Sequence, residues 1–241
     1  ADYFTKHETL HFITSLSYIG WLGVDIFFAL SGFLITSILL KTKGGNNYFK
    51  NFYARRILRI FPLYYVFIAI MLALLPVLVP DYTSNIRIIA PFLFLYMQNW
   101  MERLGVVGLP AYLAVTWSLA IEEQFYLIWP TVVYYTRRET LIKIGLGIIL
   151  ISFLYRVQAV LFWESAEQIA SFFYYDTFTR FSEIVFGAVL AALFVDPAWR
   201  ARIRLFSLPI FLVSFSAYVA LCVYLFPALI PYYSNVPLTL W

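Results

Sequence analysis

The chain has 241 residues, 63% of them apolar and only 12% charged, with a formal net charge of +4. A soluble domain is about half apolar and a quarter charged, so this composition excludes one and calls for an integral membrane protein. Several apolar runs reach the ~20 residues that a helix needs to cross a bilayer, and period-2 alternation is absent, which argues against a transmembrane barrel. The single cysteine, Cys222, lies in an apolar run and cannot form a disulfide within the chain. The positive charge gathers in loops between apolar runs and does not point to nucleic acid.

In chain order, residues 1–20 form a polar loop with Asp2, Lys6, His7, Glu8 and His11. The first span is 21–40, with Asp25 near its start and Gly23, Ser31, Gly32 and Ser37 as small residues that allow close helix contact. Gly44, Gly45, Asn46 and Asn47 then signal a turn. A helix carrying Arg55, Arg56 and Arg59 follows, directly against a second span over 63–79. Arg56 and Arg59 are spaced i, i+3 and share a face. Residues 86–100 are apolar but short, the length of a re-entrant or interfacial segment. Further spans are expected over 117–135, 141–163, 178–195 and 205–226. The fold class is thus an all-α, polytopic transmembrane bundle with about six full spans and one re-entrant or interfacial segment. The chain starts without Met in polar sequence and stops at Trp241 in mid-segment, which reads as a domain incomplete at both ends.

The distribution of Lys and Arg orients the spans. Six basic residues fall between Lys41 and Arg59, three between Arg137 and Lys143, and three between Arg200 and Arg204, twelve of the chain's seventeen. All three loops can face the cytoplasm only if 86–100 enters and leaves the membrane on the same side.

Charges deep in a span are costly and mark function. Asp25, Glu122, Glu123, Arg156, Arg180 and Glu183 are six such residues, all in the outward halves of their spans under this topology. They are expected either to line one polar cavity or to lock helices together as buried ion pairs such as Asp25–Arg180. Glu122 and Glu123 point about 100° apart on a helix, so one faces a ligand while the other pairs elsewhere. The arginine helix has two readings. It holds its loop in the cytoplasm against anionic headgroups, or it clamps a phosphate-bearing ligand at an inner mouth, on the opposite side from the acidic pocket. His7 and His11 are a possible general base or a solvated loop pair. No HExxH, cysteine cluster, GxSxG or Walker loop is present, and no metal is expected.

Four motifs then agree in order. They are Gly20-Trp-Leu-Gly-Val-Asp-Ile-Phe-Phe-Ala-Leu-Ser-Gly-Phe-Leu-Ile-Thr36, Phe52-Tyr-Ala-Arg-Arg-Ile-Leu-Arg-Ile-Phe-Pro-Leu-Tyr64, Thr116-Trp-Ser-Leu-Ala-Ile-Glu-Glu-Gln-Phe-Tyr-Leu-Ile-Trp-Pro130 and Asp176-Thr-Phe-Thr-Arg-Phe-Ser-Glu-Ile-Val-Phe-Gly187. With them the chain closely resembles the acyltransferase 3 family of membrane acyltransferases. The resemblance implies a single acyltransferase domain over 1–241 that moves an acyl group, usually acetyl from acetyl-CoA, to a hydroxyl of a carbohydrate or cell-envelope glycan. It implies a bacterial cytoplasmic membrane, with membrane lipid and a hydroxyl-bearing acceptor as partners. The family's Arg-x-x-Arg motif, associated with the acyl donor, falls on Arg56 and Arg59, with Arg55 in support. Its Trp-Ser-Leu-x-x-Glu motif falls on Trp117, Ser118, Leu119 and Glu122, followed by Glu123, the two carboxylates to which catalysis is assigned. Ser31, Asp25, Arg156, Arg180 and Glu183 complete the expected polar cluster. The family's histidine base lies on an apolar first helix that residues 1–20 are too polar to be, so that base is expected upstream of Ala1. The rival reading is a transporter or flippase for a glycan or lipid-linked sugar, which uses buried polar clusters equally well.

Overall fold

The structure, a computed structural model, describes residues 23–78, 85–101, 103–106, 111–162 and 174–224. Its elements are α1 (Gly23–Thr42), α2 (Tyr48–Leu78), α3 (Ile86–Phe94), a 3-10 turn (Gln98–Trp100), α4 (Ala111–Ala114), α5 (Trp117–Tyr135), α6 (Arg138–Phe162), α7 (Thr177–Phe194) and α8 (Pro197–Tyr224). No strand occurs among the described residues. Helices α1, α2, α6, α7 and α8 are long and apolar enough to cross a membrane. Helix α5, with 19 residues, is about 28 Å long at 1.5 Å per residue, but with Glu122 and Glu123 in it, it is not among these five, so five of the six expected spans are found among the described residues.

The chain forms two compact units, Ala29–Ala192 and the remainder. In the smaller unit, Asp196 accepts a hydrogen bond from the Ala198 N–H at 2.9 Å and Pro197 occupies the first helical position. These are the two commonest starting devices of a helix, so α8 begins before Arg200, Arg202 and Arg204 and carries them on its first turns. The sequence had placed them in a loop before 205. The Arg200 and Arg204 guanidiniums lie 5.4 Å and 5.8 Å from the Phe194 ring.

Within Ala29–Ala192, α2 is the long element. Its 31 residues run without a break through Pro62, about 46 Å in all. The arginines are therefore not on a separate helix outside the bilayer but on the same rod as the span. Proline inside a membrane helix is tolerated where neighbours satisfy the freed carbonyl. Helices α2 and α5 run antiparallel, a register set by tyrosine hydroxyls. Tyr48 donates to the Pro130 carbonyl at 3.1 Å and Tyr53 to that of Leu127 at 2.8 Å. Further along, Tyr64 and Ile68 share a core with Ala120. At the basic end, Lys43 donates to the carbonyls of Val133 (2.7 Å) and Thr136. The ends of α1 and α5 and the start of α2 thus lie on one side.

Residues 86–100 behave as the charge pattern requires. Helix α3 has nine residues, about 13 Å, too short to cross. Ile89 and Leu93 are buried against Tyr64 and Ile68. A helix ending beside another span must satisfy its last carbonyls internally, and here all four are. Pro91 O accepts from Leu95 N (3.0 Å), Phe92 O from Met97 N (2.8 Å), Leu93 O from Tyr96 N (3.3 Å) and Tyr64 Oη (2.7 Å), and Phe94 O from Tyr65 Oη (3.1 Å). The chain then reverses at Tyr96. Tyr96 O lies at the level of Gln124 and Gln98 at that of Thr116, so the segment returns toward the start of α5.

Two glycines set how closely α1 meets α7. A Cβ on Gly32 would strike the Ile184 carbonyl, and one on Gly187 the Ala29 carbonyl. Backbone approach of this kind is what small residues give membrane helices.

Two measurements check this arrangement. Reporter fusions after Arg103 and Arg138 are expected on opposite sides of the membrane; both in the cytoplasm would refute the re-entrant path. Gly32→Leu should abolish the folded protein through backbone overlap costing about 1–3 kcal/mol or more. Gly147→Ala, where a Cβ meets nothing within 4 Å, should be neutral or stabilise by up to about 1 kcal/mol. Thermal unfolding in detergent compares the two.

Candidate active site

A turn of α5 brings Glu122, Glu123 and Tyr126 together, because positions i, i+3 and i+4 are neighbours on a helix. Glu122 and Tyr126 are buried. From α1, the Ser31 hydroxyl hydrogen-bonds the Tyr126 hydroxyl, and both hydroxyls reach the Glu122 carboxyl group. From α2, Arg56 lies on the Tyr126 ring with Cζ 3.5 Å from its centroid and 5.7 Å from that of Phe52. A desolvated guanidinium on an aromatic face gains about 2 kcal/mol. The same guanidinium acts electrostatically on both Glu122 and Glu123. The two adjacent carboxyl groups diverge as their spacing requires. Glu122 interacts with Ser31 and Tyr126, while Glu123 acts electrostatically on Tyr65 and Tyr96. In each, Oε1 is buried without a hydrogen-bond donor.

This differs from an inner arginine mouth and an outer acidic pocket on opposite sides. Because α2 continues through Pro62, Arg56 is carried alongside α5 to the carboxylates themselves. Arg55 and Arg59 are exposed. They stand one turn apart on α2, while Arg56 is turned inward, so the three arginines do not converge.

Arg156, Glu183 and Arg180 make further contacts. Arg156 of α6 donates to Glu183 Oε1 of α7 at 2.6 Å, to Thr179 O at 2.6 Å and to Ser182 Oγ at 3.1 Å. Arg180 donates to Tyr174 O at 2.9 Å, and its guanidinium lies 5.0 Å from the Tyr174 ring and 5.6 Å from that of Trp117. Ser118 is half-buried one turn before Glu122. Asp25 is half-buried in the smaller unit. His7 and His11 lie outside the described residues.

The sequence reading passed over several residues that matter here. Tyr126 is one; its i+4 spacing from Glu122 was the available signal. An amide network is another. Gln124 donates to Tyr96 O at 2.8 Å and to Asn99 Oδ1 at 2.9 Å. Asn99 donates to Thr177 Oγ1 at 2.8 Å, and Thr177 to Gln124 Oε1 at 2.6 Å. Buried polar groups at this depth must pair with one another, so the ring ties the re-entrant turn to α5 and α7. Asp176 caps α7 through the Phe178 N–H at 2.7 Å and forms an ion pair with Arg103.

The fold and this cluster define a polytopic helical membrane protein with an arginine, a tyrosine and two carboxyl groups in contact between spans. The chain matches the profile described as "Acyltransferase domain" over residues 2–241 and belongs to that family. It is 37% identical over 185 residues to peptidoglycan O-acetyltransferase OatA of Listeria monocytogenes, covering 71% of this chain and 29% of that protein. It is 36% identical over 182 residues to YrhL of Bacillus subtilis, named as a candidate peptidoglycan O-acetyltransferase, covering 71% of this chain and 28% of that one. An O-acetyltransferase candidate of Staphylococcus aureus strain COL is 32% identical over 191 residues, covering 72% and 30%. The matched region is thus less than a third of each relative's length. No solved structure matches the chain.

Arg156→Met alone should leave Glu183 uncompensated and destabilise by about 3–5 kcal/mol, while Arg156→Met with Glu183→Leu should recover most of that loss. Unfolding of the single and double variants in detergent gives the comparison.

Proposed function

We propose that this chain is the acyl-transferring part of a bacterial cytoplasmic-membrane protein. It moves an acetyl group from acyl-CoA to a hydroxyl of a cell-envelope glycan. Peptidoglycan, the substrate in the names of the Listeria and Bacillus relatives, is the acceptor we assign. The family match over residues 2–241 supports reading the whole chain as one acyltransferase domain. The observation that carries the reading is the contact of Arg56 with Tyr126 beside Glu122 and Glu123.

The exposed guanidiniums of Arg55 and Arg59, one turn apart, fit the phosphate oxygens of a CoA donor, since each presents a planar fork of donors. Arg56 sits inward, where the thioester end would meet the acceptor. The acceptor hydroxyl attacks the thioester carbonyl, its proton passes to a base, and the CoA thiol leaves. Glu122 has hydroxyl donors on one side and an open Oε1 on the other. It is suited to accept a hydrogen bond from the attacking hydroxyl or to orient the base that takes its proton. Arg56, held flat by Tyr126, keeps a fixed positive charge at the same point without reorganising during the reaction.

The arginines should separate kinetically. With the intact protein in detergent, radiolabelled acetyl-CoA and soluble peptidoglycan fragments, Arg55→Glu and Arg59→Glu should raise KM for acetyl-CoA about tenfold or more with smaller effects on kcat. Arg56→Gln should lower kcat by about 10²-fold. No transfer of label by the unaltered protein overturns the assignment, and an Arg59→Glu protein that saturates normally removes the donor clamp.

A further inference from the structure

The tip of the re-entrant turn carries polar atoms that the cluster above does not use. Tyr96 has φ 54°, a left-handed backbone that is a marked outlier for a bulky residue and is found where surrounding structure enforces it. That enforcement is visible. Gln124 holds the Tyr96 carbonyl, and Gln124 is itself held by Asn99 and Thr177. The Tyr96 ring stacks on Tyr64 at 4.2 Å between centroids, with Phe61 at 5.6 Å and Tyr65 at 6.0 Å.

None of these contacts uses the hydroxyl. Phenylalanine would stack as well. Yet Tyr96 is only 7% exposed, and its Oη has no hydrogen-bond partner, an arrangement that works against folding. Gln98 Oε1 in the same turn is likewise buried without a partner, and so is Oε1 of Glu123, which precedes the Gln124 that holds the Tyr96 carbonyl and is near enough to act electrostatically on this tyrosine. The phenol is a donor and the carboxyl oxygen an acceptor. A hydroxyl, which accepts one hydrogen bond and donates another, satisfies both at once.

We propose that Tyr96 Oη and Glu123 Oε1 form a hydroxyl-binding subsite for the acceptor. It takes a sugar hydroxyl other than the one acylated, with the phenol donating to it and the carboxylate accepting from it. The inference rests on the acyltransfer reading and deepens it. Glu122 serves the reacting hydroxyl, while Glu123 and the re-entrant turn hold the sugar that bears it. The turn then has a purpose, since it seats the phenol among the α2 aromatic rings while its carbonyl is held by Gln124, the residue after Glu123.

Tyr96→Phe tests this without disturbing the fold, because it removes a buried hydroxyl that has no partner. In the intact protein its unfolding temperature should be unchanged or raised. With soluble peptidoglycan fragments as acceptor, KM for the acceptor should rise about tenfold or more, while KM for acetyl-CoA stays the same. Glu123→Gln should shift acceptor KM in the same direction, and the double variant should be little worse than the more affected single variant, since either change breaks the shared contact. An unchanged acceptor KM in Tyr96→Phe overturns the subsite and leaves the acyltransfer reading standing; it would mean that these atoms meet only water. A lowered unfolding temperature, with acceptor and donor KM shifting together, overturns it in favour of a packing role. Loss of transfer in the unaltered protein removes both readings.

Discussion

Arg56 resting on Tyr126 is the contact on which the arrangement of the larger unit depends. A guanidinium between apolar helices must be covered on its faces and opposed by negative charge. Tyr126 covers one face, and the Glu122 and Glu123 carboxyl groups are near enough to feel its charge. Tyr126 in turn reaches α1 through Ser31. A single cation therefore fixes the rotation of α2 and α5 about their axes and draws α1 toward them. The tyrosine hydroxyls that set the antiparallel register of α2 and α5 thereby keep Arg56 level with Tyr126.

The re-entrant segment obeys the same rule by a different route. Its one charge, Arg87, lies at the start of α3, and the far end of α3 is closed by tyrosine hydroxyls from α2 and its turn by the Gln124–Asn99–Thr177 ring. Neutral groups that satisfy one another completely can lie at membrane depth at little cost. Tyr96 Oη and Glu123 Oε1, in the same neighbourhood, are unsatisfied. Among the described residues, Gln98 Oε1 in the turn and Arg156 Nε and Glu183 Oε2 of the α6–α7 ion pair are also buried without a partner. The other three such atoms, Tyr96 Oη and Oε1 of Glu122 and of Glu123, belong to the carboxyl-bearing part of α5 and the turn beside it.

Much of this was legible in the sequence. The spans follow from apolar length, and the parity of the basic loops alone requires 86–100 to turn back. The divergence of Glu122 and Glu123 follows from helical geometry. What the sequence hid was depth. Three arginines beside an apolar run look like the edge of a span, and Pro62 looks like its boundary, so Arg56 seemed to lie outside the bilayer. Only the unbroken course of α2 through Pro62 carries it inward. Tyr126 and Tyr96 were hidden for a different reason. In a chain with 21% aromatic residues, a tyrosine next to an apolar run reads as packing or as an interfacial belt; the i+4 spacing of Tyr126 from Glu122 is the one local signal, and Tyr96 has none. Of Asp25, Arg156, Arg180 and Glu183, Arg180 is buried and the other three are half-buried, and the spacing of charges along a sequence does not foretell the Arg156–Glu183 pair between α6 and α7.

The course of α2 also bears on how a polar donor reaches the cluster. At 1.5 Å per residue, Arg55 and Arg59 lie about 10 Å and about 16 Å along α2 from Tyr48, whose hydroxyl is tied to Pro130 on α5. Both are exposed within the larger unit. An arginine near a helix end can snorkel to the interface, but two on one face, the further one about three turns in, are poorly matched to a wall of lipid tails. That face of α2 is better matched to water and phosphate. A wet path along it from the basic side would end beside Arg56 and the two carboxyl groups, so the helix that anchors the cluster would also form the wall along which a charged donor approaches it.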